Sequence, residues 1–541
     1  MLFIYFYLIS YSIIGYGILS ANLLSINKYN FGHLGILGCT FFLLISFTTS
    51  LFINHNLSIN FIFIILGLLL FYFLRNKIID FKKEIINHFI VFSLLLLFIT
   101  VSKNHDDFPY YHFPYISILT EFSHPIGLGL LNNGFRSPSS IFFISSMFYL
   151  PGIKIFLFHI TPALILGYSN LILLNKIFDK HIFRLFKLVN IISLISIIFI
   201  NIFFYRLAEH GTDRSGMILV IISVILFLQV INLENKSQSC EIKFLIISLC
   251  FAITLKPFYL INIFLILLLL IYEKTRKAFL GLFFTKTFWY CISLISFIIF
   301  YTFINTGCLF FPLAISCFEN LPWSLDIKFI NDVKIWFELW SKAGASPNYV
   351  VDDRILYIKN FNWFNNWINQ YFFNKVSDFI LGLLILSIFI FLFFIKNIGK
   401  YNKSKISFYY LYILITAFLI EWFLYHPTLR YGGYHLIYLI IFIPFSIYLS
   451  KLTATYKIFY KKALILLIIT SLIFSVRNID RIYNEYTKYK FNPLVNLNYG
   501  FFGGDESFHF RYNSHLRKNY NNYNYIKILG KRFTYMSKEN K

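Results

Sequence analysis

Residues 57–84 read LSINFIFIILGLLLFYFLRNKIIDFKKE, an apolar run that ends in a basic turn. A helix needs about 20 apolar residues to span a bilayer, or slightly fewer when it is packed among neighbours. Cations beside such a run mark its cytoplasmic end, and here they are Arg75, Lys77, Lys82 and Lys83. The stretch therefore predicts a spanning helix over 57–74 that ends in the cytoplasm.

Similar apolar runs recur along the whole chain. Of its 541 residues, 58% are hydrophobic and 13% are charged, too few charges for the surface of a soluble protein of this length. We therefore predict an all-α, polytopic transmembrane bundle of about 13–14 apolar segments. The segments are 2–24, 34–54, 57–74, 86–102, 156–175, 185–204, 216–232, 243–255, 257–272, 288–304, 377–395, 406–425, 435–450 and 462–476.

The basic residues set the predicted orientation. Alternate loops are short and rich in Lys and Arg, which places them in the cytoplasm. The alternation holds if 243–272 enters the membrane and returns at Lys256-Pro257, as two short helices or a re-entrant hairpin. The net charge of +24 is then a matter of topology, and we do not expect nucleic acid as a partner. The lipid bilayer is the expected partner, and the N-terminus lies outside.

These assignments divide the chain into alternating membrane and external regions, the external loops forming a small layer outside the membrane. The regions are N-terminal transmembrane helices (1–102), a first large external loop (103–155), a transmembrane core (156–304), an external segment (305–376), C-terminal transmembrane helices (377–476) and an external tail (477–541). Ionisable, aromatic and hydroxyl side chains concentrate in the external regions. That concentration on one face is the main indication of function.

The first external loop carries the candidate catalytic acids. His105, Asp106 and Asp107 directly follow the fourth segment. Adjacent carboxylates close to the low-dielectric membrane raise each other's proton affinity, which favours a role as general base. Tyr111 and His112 add rings suited to a sugar or a lipid headgroup. A helix-capping acidic turn remains the alternative. Further along the loop, Arg136 ends a Gly-rich stretch that could approach a phosphate or simply be a loop.

Three other external positions carry candidate substrate-binding residues. Charges as dense as those at 206–214 either pair with one another or bind phosphate. Lys256 either reaches the surface or contacts a lipid phosphate. The turn at 426–435 either caps a helix or binds an anion. The candidates are Arg206, Glu209, Asp213, Arg214, Lys256, Arg430 and His435. The segment 305–376 contains Trp336 and Trp340, spaced for one face of an amphipathic helix lying on the membrane.

The six cysteines show no metal-ligand spacing. Cys39, Cys250 and Cys291 lie in or near apolar segments, and Cys240 lies in a cytoplasmic loop. Cys308 and Cys317 share an external region, where a disulfide is chemically allowed. Geometry decides whether it forms.

The acids directly after a span resemble those of the GT-C class of membrane glycosyltransferases, which carry catalytic acids in an external loop. In that class the acids usually follow the first span, whereas here three more spans precede Asp106 and Asp107. The chain up to about 340 also resembles an uncharacterised family of bacterial multi-spanning proteins. They share an acidic-Tyr-His-Pro-Tyr loop, a Gly-rich loop ending in Arg-x-x-Ser-Ser, and a Gly-Cys…Pro…Cys stretch.

The GT-C resemblance implies transfer of a sugar from a polyprenyl-phosphate donor to a surface glycan or glycolipid. It implies a periplasmic active face on a bacterial inner membrane, with Asp106 or Asp107 as base and with neither a metal nor a cofactor. Cations at Arg214, Lys256 and Arg430 would hold the leaving phosphate. An O-antigen-type polymerase or ligase is one alternative. A transporter or flippase is another, although its paired broken helices are matched here only at Lys256.

Overall fold

The computed structural model describes residues 1–26, 30–102, 105, 107–209, 212–232, 237–345, 351–395, 408–452, 455–492, 494–495, 523–528 and 531–536. Helices dominate these residues, which confirms the all-α prediction. In chain order they are α1 (Leu2–Leu23), α2 (Phe31–Ser50), α3 (Leu57–Leu74), α4 (Phe81–Ile99), α5 (Phe113–Glu121), α6 (Leu128–Leu131), α7 (Ser140–Ser146), α8 (Ile160–Phe178), α9 (Lys180–Phe203), α10 (Thr212–Val230), α11 (Ser237–Leu255), α12 (Ile263–Leu267), α13 (Glu273–Leu282), α14 (Lys286–Thr306), α15 (Ile327–Lys342), α16 (Arg354–Ile358), α17 (Phe364–Trp367), α18 (Ser377–Phe394), α19 (Tyr409–Tyr425), α20 (Gly433–Leu452) and α21 (Tyr456–Tyr489).

Ten helices among the described residues are long and apolar enough to cross a membrane. Two shorter apolar stretches, Pro257–Leu270 and Tyr409–Tyr425, accompany them. Each predicted apolar segment coincides with one of the listed helices or with the stretch after Lys256. Backbone polar groups have no water to bond in a bilayer, so helices that satisfy them internally are the expected solution. The chain is an integral, multi-pass membrane protein.

The bundle has a buried centre and an apolar outer surface. In the most apolar 18 residues of each helix, the buried share is 94% in the Ile155–Phe178 stretch and in α10. It is 17% in the stretch that contains α3. The outward side chains of α3 are large and apolar, among them Leu66, Leu69 and Phe73. Such a face suits lipid and not water.

Glycines let α1 approach its neighbours at backbone distance. A Cβ added at Gly15 would lie 2.0 Å from the carbonyl oxygen of Gly67, and one added at Gly17 would lie 1.8 Å from that of Leu34. Helices in membranes associate through such close contacts, because lipid removes the hydrophobic drive between them. α1, α2 and α3 therefore form one tightly packed unit.

Several loops that the charge pattern assigns to the same side of the membrane contact each other. At the basic end, the Lys243 ammonium donates to the carbonyl of Leu24 at 2.9 Å, and Tyr456 donates to that of Phe178 at 2.8 Å. At the opposite end, the amide of His105 donates to the carbonyl of Glu209 at 3.0 Å. Loops assigned to the same side thus contact each other.

The two large loops of the opposite end are themselves folded. The first begins with a π-helical turn, Phe108–His112, and continues through α5, α6 and α7, whose side chains are largely buried. The segment 305–376 contains α15, α16, α17 and a π-helical stretch, Ile368–Val376. Within it, Cys308 and Cys317 form a disulfide.

α21 continues without a break past 476, where the sequence predicts the end of the C-terminal transmembrane helices, as far as Tyr489. Its extension packs on the end of α4. Beyond it, strands β1 (Tyr523–Ile528) and β2 (Lys531–Met536) pair antiparallel as a hairpin. The amide of Ile126 donates to the carbonyl of Arg532, and the amide of Thr534 donates to that of Ile126, both at 3.0 Å. This part of the tail is therefore joined to the first external loop.

Cysteine labelling will test the two-ended arrangement. We expect Cys240, in the first turn of α11, and Cys317 to react with a membrane-impermeant maleimide from opposite sides of the membrane, Cys317 after reduction of its disulfide. Mass spectrometry of peptides from intact and permeabilised cells measures this, with Cys240→Ser as control. Reaction of both thiols from one side would contradict the arrangement.

Candidate functional site

Four charged side chains from four separate parts of the sequence meet at the end opposite the basic loops. The Asp213 carboxylate accepts from the Arg430 Nε at 2.6 Å and lies 3.3 Å from the Lys256 ammonium. The Arg430 guanidinium also donates to the Asp107 carboxylate. These four residues are called the charged cluster below. Their order in space is Lys256, Asp213, Arg430, Asp107.

Asp213 and Lys256 are placed by helix ends. Asp213 lies in the first turn of α10, where the positive end of the helix dipole favours a carboxylate. Lys256 follows α11 with extended backbone, and Pro257 then starts a 3₁₀ turn, Pro257–Asn262. Tyr259 in that turn donates its hydroxyl to the backbone carbonyl of Asp213. The break in the helix thus holds Lys256 beside α10.

Aromatic donors fix the turn that carries Arg430. The Trp367 indole donates to the carbonyl of Pro427 and the Trp422 indole to that of Thr428, each at 2.7 Å. The Tyr371 hydroxyl accepts from the amide of Leu429 at 2.9 Å. A loop bonded at three successive residues has little freedom, so Arg430 is presented in a fixed position. Trp367 and Tyr371 were not among the predicted site residues, because their position just before a span is their only signal in the sequence.

Asp107 lies immediately before the π-helical turn and has weaker local partners. The Tyr111 hydroxyl is 3.4 Å from its carboxylate, and Nδ1 of His105 is 3.5 Å away. Nδ1 of His105 accepts from the Asp107 amide at 3.1 Å. The contact with Arg430 is therefore the principal one made by this carboxylate.

The electrostatics of Asp107 differ from the expectation that paired acids raise its proton affinity. Burial alone would raise the pKa, but the Arg430 guanidinium outweighs it, together with His105 and His112, and lowers the pKa to about 2. A carboxyl whose pKa is lowered in the folded state stabilises the fold above its unfolded pKa, and that stability is lost as the pH falls toward 2. While paired with Arg430, Asp107 is a weak base.

His112 lies beside the charged cluster without an ion pair to it. Its ring packs on Tyr111 and Phe142, with centroids 4.3 and 5.1 Å away, and its Nε2 has no hydrogen-bond partner within the described part of the chain. Burial lowers its pKa to about 3, with Asp107 opposing and Lys256 adding to the shift. The imidazole is neutral at physiological pH.

The other predicted residues lie outside the charged cluster. The Arg214 guanidinium lies 5.7 Å from the rings of both Phe204 and Tyr434, because the residue after Asp213 points to another face of α10. Arg206 pairs bidentately with Glu209, at 2.5 and 2.7 Å. Arg214 therefore packs on aromatic rings, and Arg206 and Glu209 bind each other, so none of the three joins the charged cluster.

Two further candidates are buried in the fold, and one is not described. Arg136 donates to the carbonyl of Gly129 at 3.0 Å and lies over the ring of Phe329. His435 is 2% exposed in α20, with its ring 6.0 Å from that of Tyr259, behind the charged cluster. Asp106 lies outside the described residues. Among those that are described, no three His, Cys, Asp or Glu side chains are grouped to hold a metal ion.

The model of a family described as Domain of unknown function (DUF8201) matches residues 1–437. The chain belongs to the DUF8201 family. The DUF8201 match includes all four members of the charged cluster and ends before α21. No curated protein and no solved structure matches the chain. The function of this DUF8201 protein is therefore argued from the geometry of the site.

Proposed function

We propose that this protein is a membrane glycosyltransferase that moves a sugar from a polyprenyl-phosphate donor to a cell-surface glycan or lipid. The observation that carries the proposal is the charged cluster, which brings a carboxylate and two cations together at one end of a membrane bundle. Arg430 is 31% exposed and Lys256 is 20% exposed, so both remain accessible to a ligand. Sugar transfer from a lipid phosphate needs this combination of groups.

The chemistry assigns one role to each member of the charged cluster. The acceptor oxygen attacks the anomeric carbon and its proton passes to a carboxylate, Asp107 or the neighbouring Asp106. The bond from the anomeric carbon to the phosphate oxygen breaks, and its electron pair stays on the phosphate. Arg430 and Lys256 stabilise that charge, while Asp213 holds both cations in position.

The disulfide supports a non-cytoplasmic location for this face. Disulfides persist in oxidising compartments and are rare in the cytosol. Cys308 and Cys317 lie at the end that carries the charged cluster, whereas the other four cysteines form no disulfide in the described part of the chain. Together with the basic loops at the other end, this favours a periplasmic active face in a bacterial inner membrane.

Glycan analysis tests the function directly. Arg430→Gln and Asp107→Asn are expected to reduce the modification by two orders of magnitude or more, since each removes a group that acts on the reacting atoms. Mass spectrometry of surface glycans and lipid-linked intermediates in a complemented deletion strain measures this. Asp352→Asn, an exposed acid away from the charged cluster, is the matched control.

The form of the product separates the proposal from its alternative. Loss of one side sugar is the result expected of a transferase. Single repeat units that never lengthen would show a polymerase instead. Wild-type glycan in both variants, with normal membrane insertion, would rule out the assigned roles.

A further inference from the structure

The two carboxylates of the charged cluster are held to different extents. Asp213 is 10% exposed in its side chain, bonds both cations, and has its backbone carbonyl bonded by Tyr259. Asp107 is 22% exposed and depends mainly on Arg430. Asp213 is thus built into the fold, whereas Asp107 can leave its position without breaking a helix or a buried network.

The position that Asp107 occupies suits an anion. The Arg430 guanidinium donates to the Asp107 carboxylate. Guanidinium groups favour phosphate oxygens as well as carboxylates. His112 adds a buried Nε2 that has no partner among the described residues, next to Tyr111.

We propose that the Asp107 carboxylate stands in for the substrate's phosphate on Arg430, and that a single monoanionic phosphodiester displaces it. This inference rests on the proposed function and specifies its donor as a monophosphate-linked sugar. The phosphate of the donor would then bind Arg430 in place of the Asp107 carboxylate, and Asp107 would be left unbound beside the donor. The same event therefore loads the phosphate and frees the base.

Charge balance favours a monophosphate over a diphosphate. Two cations face two carboxylates in the charged cluster, so its formal charge is zero. Exchange of one carboxylate for one phosphodiester keeps that balance among the groups bound to the two cations, and the released Asp107 is neutralised when it takes the proton of the acceptor. A diphosphate diester would leave a negative charge without a partner in a largely buried site, which is costly.

The released Asp107 would also become a better base. Arg430 is the main group that lowers its pKa against the effect of burial. Once the guanidinium is bound to phosphate, burial raises the proton affinity of the free carboxyl. A proton acceptor is then available only when the donor is bound, which limits transfer without a correctly placed donor.

Ligand titration of the purified full chain in phosphatidylcholine nanodiscs tests the exchange. The probes are farnesyl methyl phosphate as phosphodiester, farnesyl diphosphate and inorganic phosphate, followed by phosphorus NMR. We expect the phosphodiester to bind wild type most tightly. Asp107→Asn should tighten its binding by roughly tenfold, because the internal competitor is gone, and Arg430→Gln should abolish it. Asp107→Ser is a second variant in case the first does not fold.

Controls separate this inference from other outcomes. Asp352→Asn should bind as wild type does. Unchanged or weaker phosphodiester binding in folded Asp107→Asn and Asp107→Ser would overturn the exchange, as would tighter binding of the diphosphate or of inorganic phosphate to wild type. Competition by phosphatidylglycerol in the disc would identify a bilayer headgroup as the ligand and would also overturn it. Binding needs no turnover. If the titrations gave the expected result but the variants left the surface glycan unaltered, only the proposed function would be rejected.

Discussion

Replacement of Asp213 by alanine is expected to lower the free energy of unfolding by about 2–4 kcal/mol. The Asp213 carboxylate is the link between Arg430, at 2.6 Å, and Lys256, at 3.3 Å. Its removal leaves Lys256 with no carboxylate among the residues that the structure describes. Breaking a buried ion pair costs about 3–5 kcal/mol, reduced here because both cations are partly exposed.

The matched double variant distinguishes charge from packing. Lys256→Met in the Asp213→Ala background removes the unpaired cation and should recover most of the lost stability, because no buried charge is left alone. Unfolding in mixed micelles, followed by tryptophan fluorescence, measures both. If the single variant is as stable as wild type, the cations reach water and the charged cluster is not a buried network.

Replacement of Arg481 by alanine is expected to cost about 3–5 kcal/mol. Arg481 and Glu485 lie on the extension of α21, 8% and 3% exposed, and pair at 2.9 Å. Arg481 also donates to the carbonyls of Thr100 and Leu97, at 3.0 and 2.9 Å. The variant removes a hydrogen-bond donor from the buried Glu485 carboxylate and from the two carbonyls at the end of α4.

The same variant should loosen the acidic loop. Glu485 accepts from the amide of Ser102 at 2.7 Å, immediately before the segment that leads to Asp107. We expect faster amide hydrogen exchange over 100–112 in Arg481→Ala, measured by mass spectrometry. Arg481→Lys should recover part of the protection, since an ammonium lacks the fork that reaches both carbonyls. Asp480→Asn, on the exposed face of the same turn, is the control. Wild-type exchange in Arg481→Ala would show that α21 does not restrain the loop.

Much of the architecture follows from local sequence. Long apolar runs set the helices, and Lys256-Pro257 marked a break that positions a cation. Sidedness placed Asp107, Lys256 and Arg430 at one end, and the structure brings these three together through Asp213. The bilayer makes such predictions strong, because length, apolarity and loop charge are each constrained separately.

What the sequence could not supply were directions and distant partners. Asp213 and Arg214 are adjacent, yet neighbours on a helix point about 100° apart, so only one enters the charged cluster. The stretch after 476 is polar in sequence, and its packing could not be predicted because its partners, Thr100 and Ser102, lie far back in the chain. Trp367 and Tyr371 act through backbone groups of a turn more than 50 residues later, which no local pattern reveals.

The joining of α21 and the β1–β2 hairpin to the first external loop also sets an order of assembly. Ribosomes make the acidic loop before residues 481–534, but its contacts with Arg481, Glu485 and Thr534 form only after those residues have been made. A nascent chain therefore carries its acids in an unfinished state during most of translation. We expect products that stop short of α21 to insert their apolar helices and to leave the acidic loop more accessible to proteases.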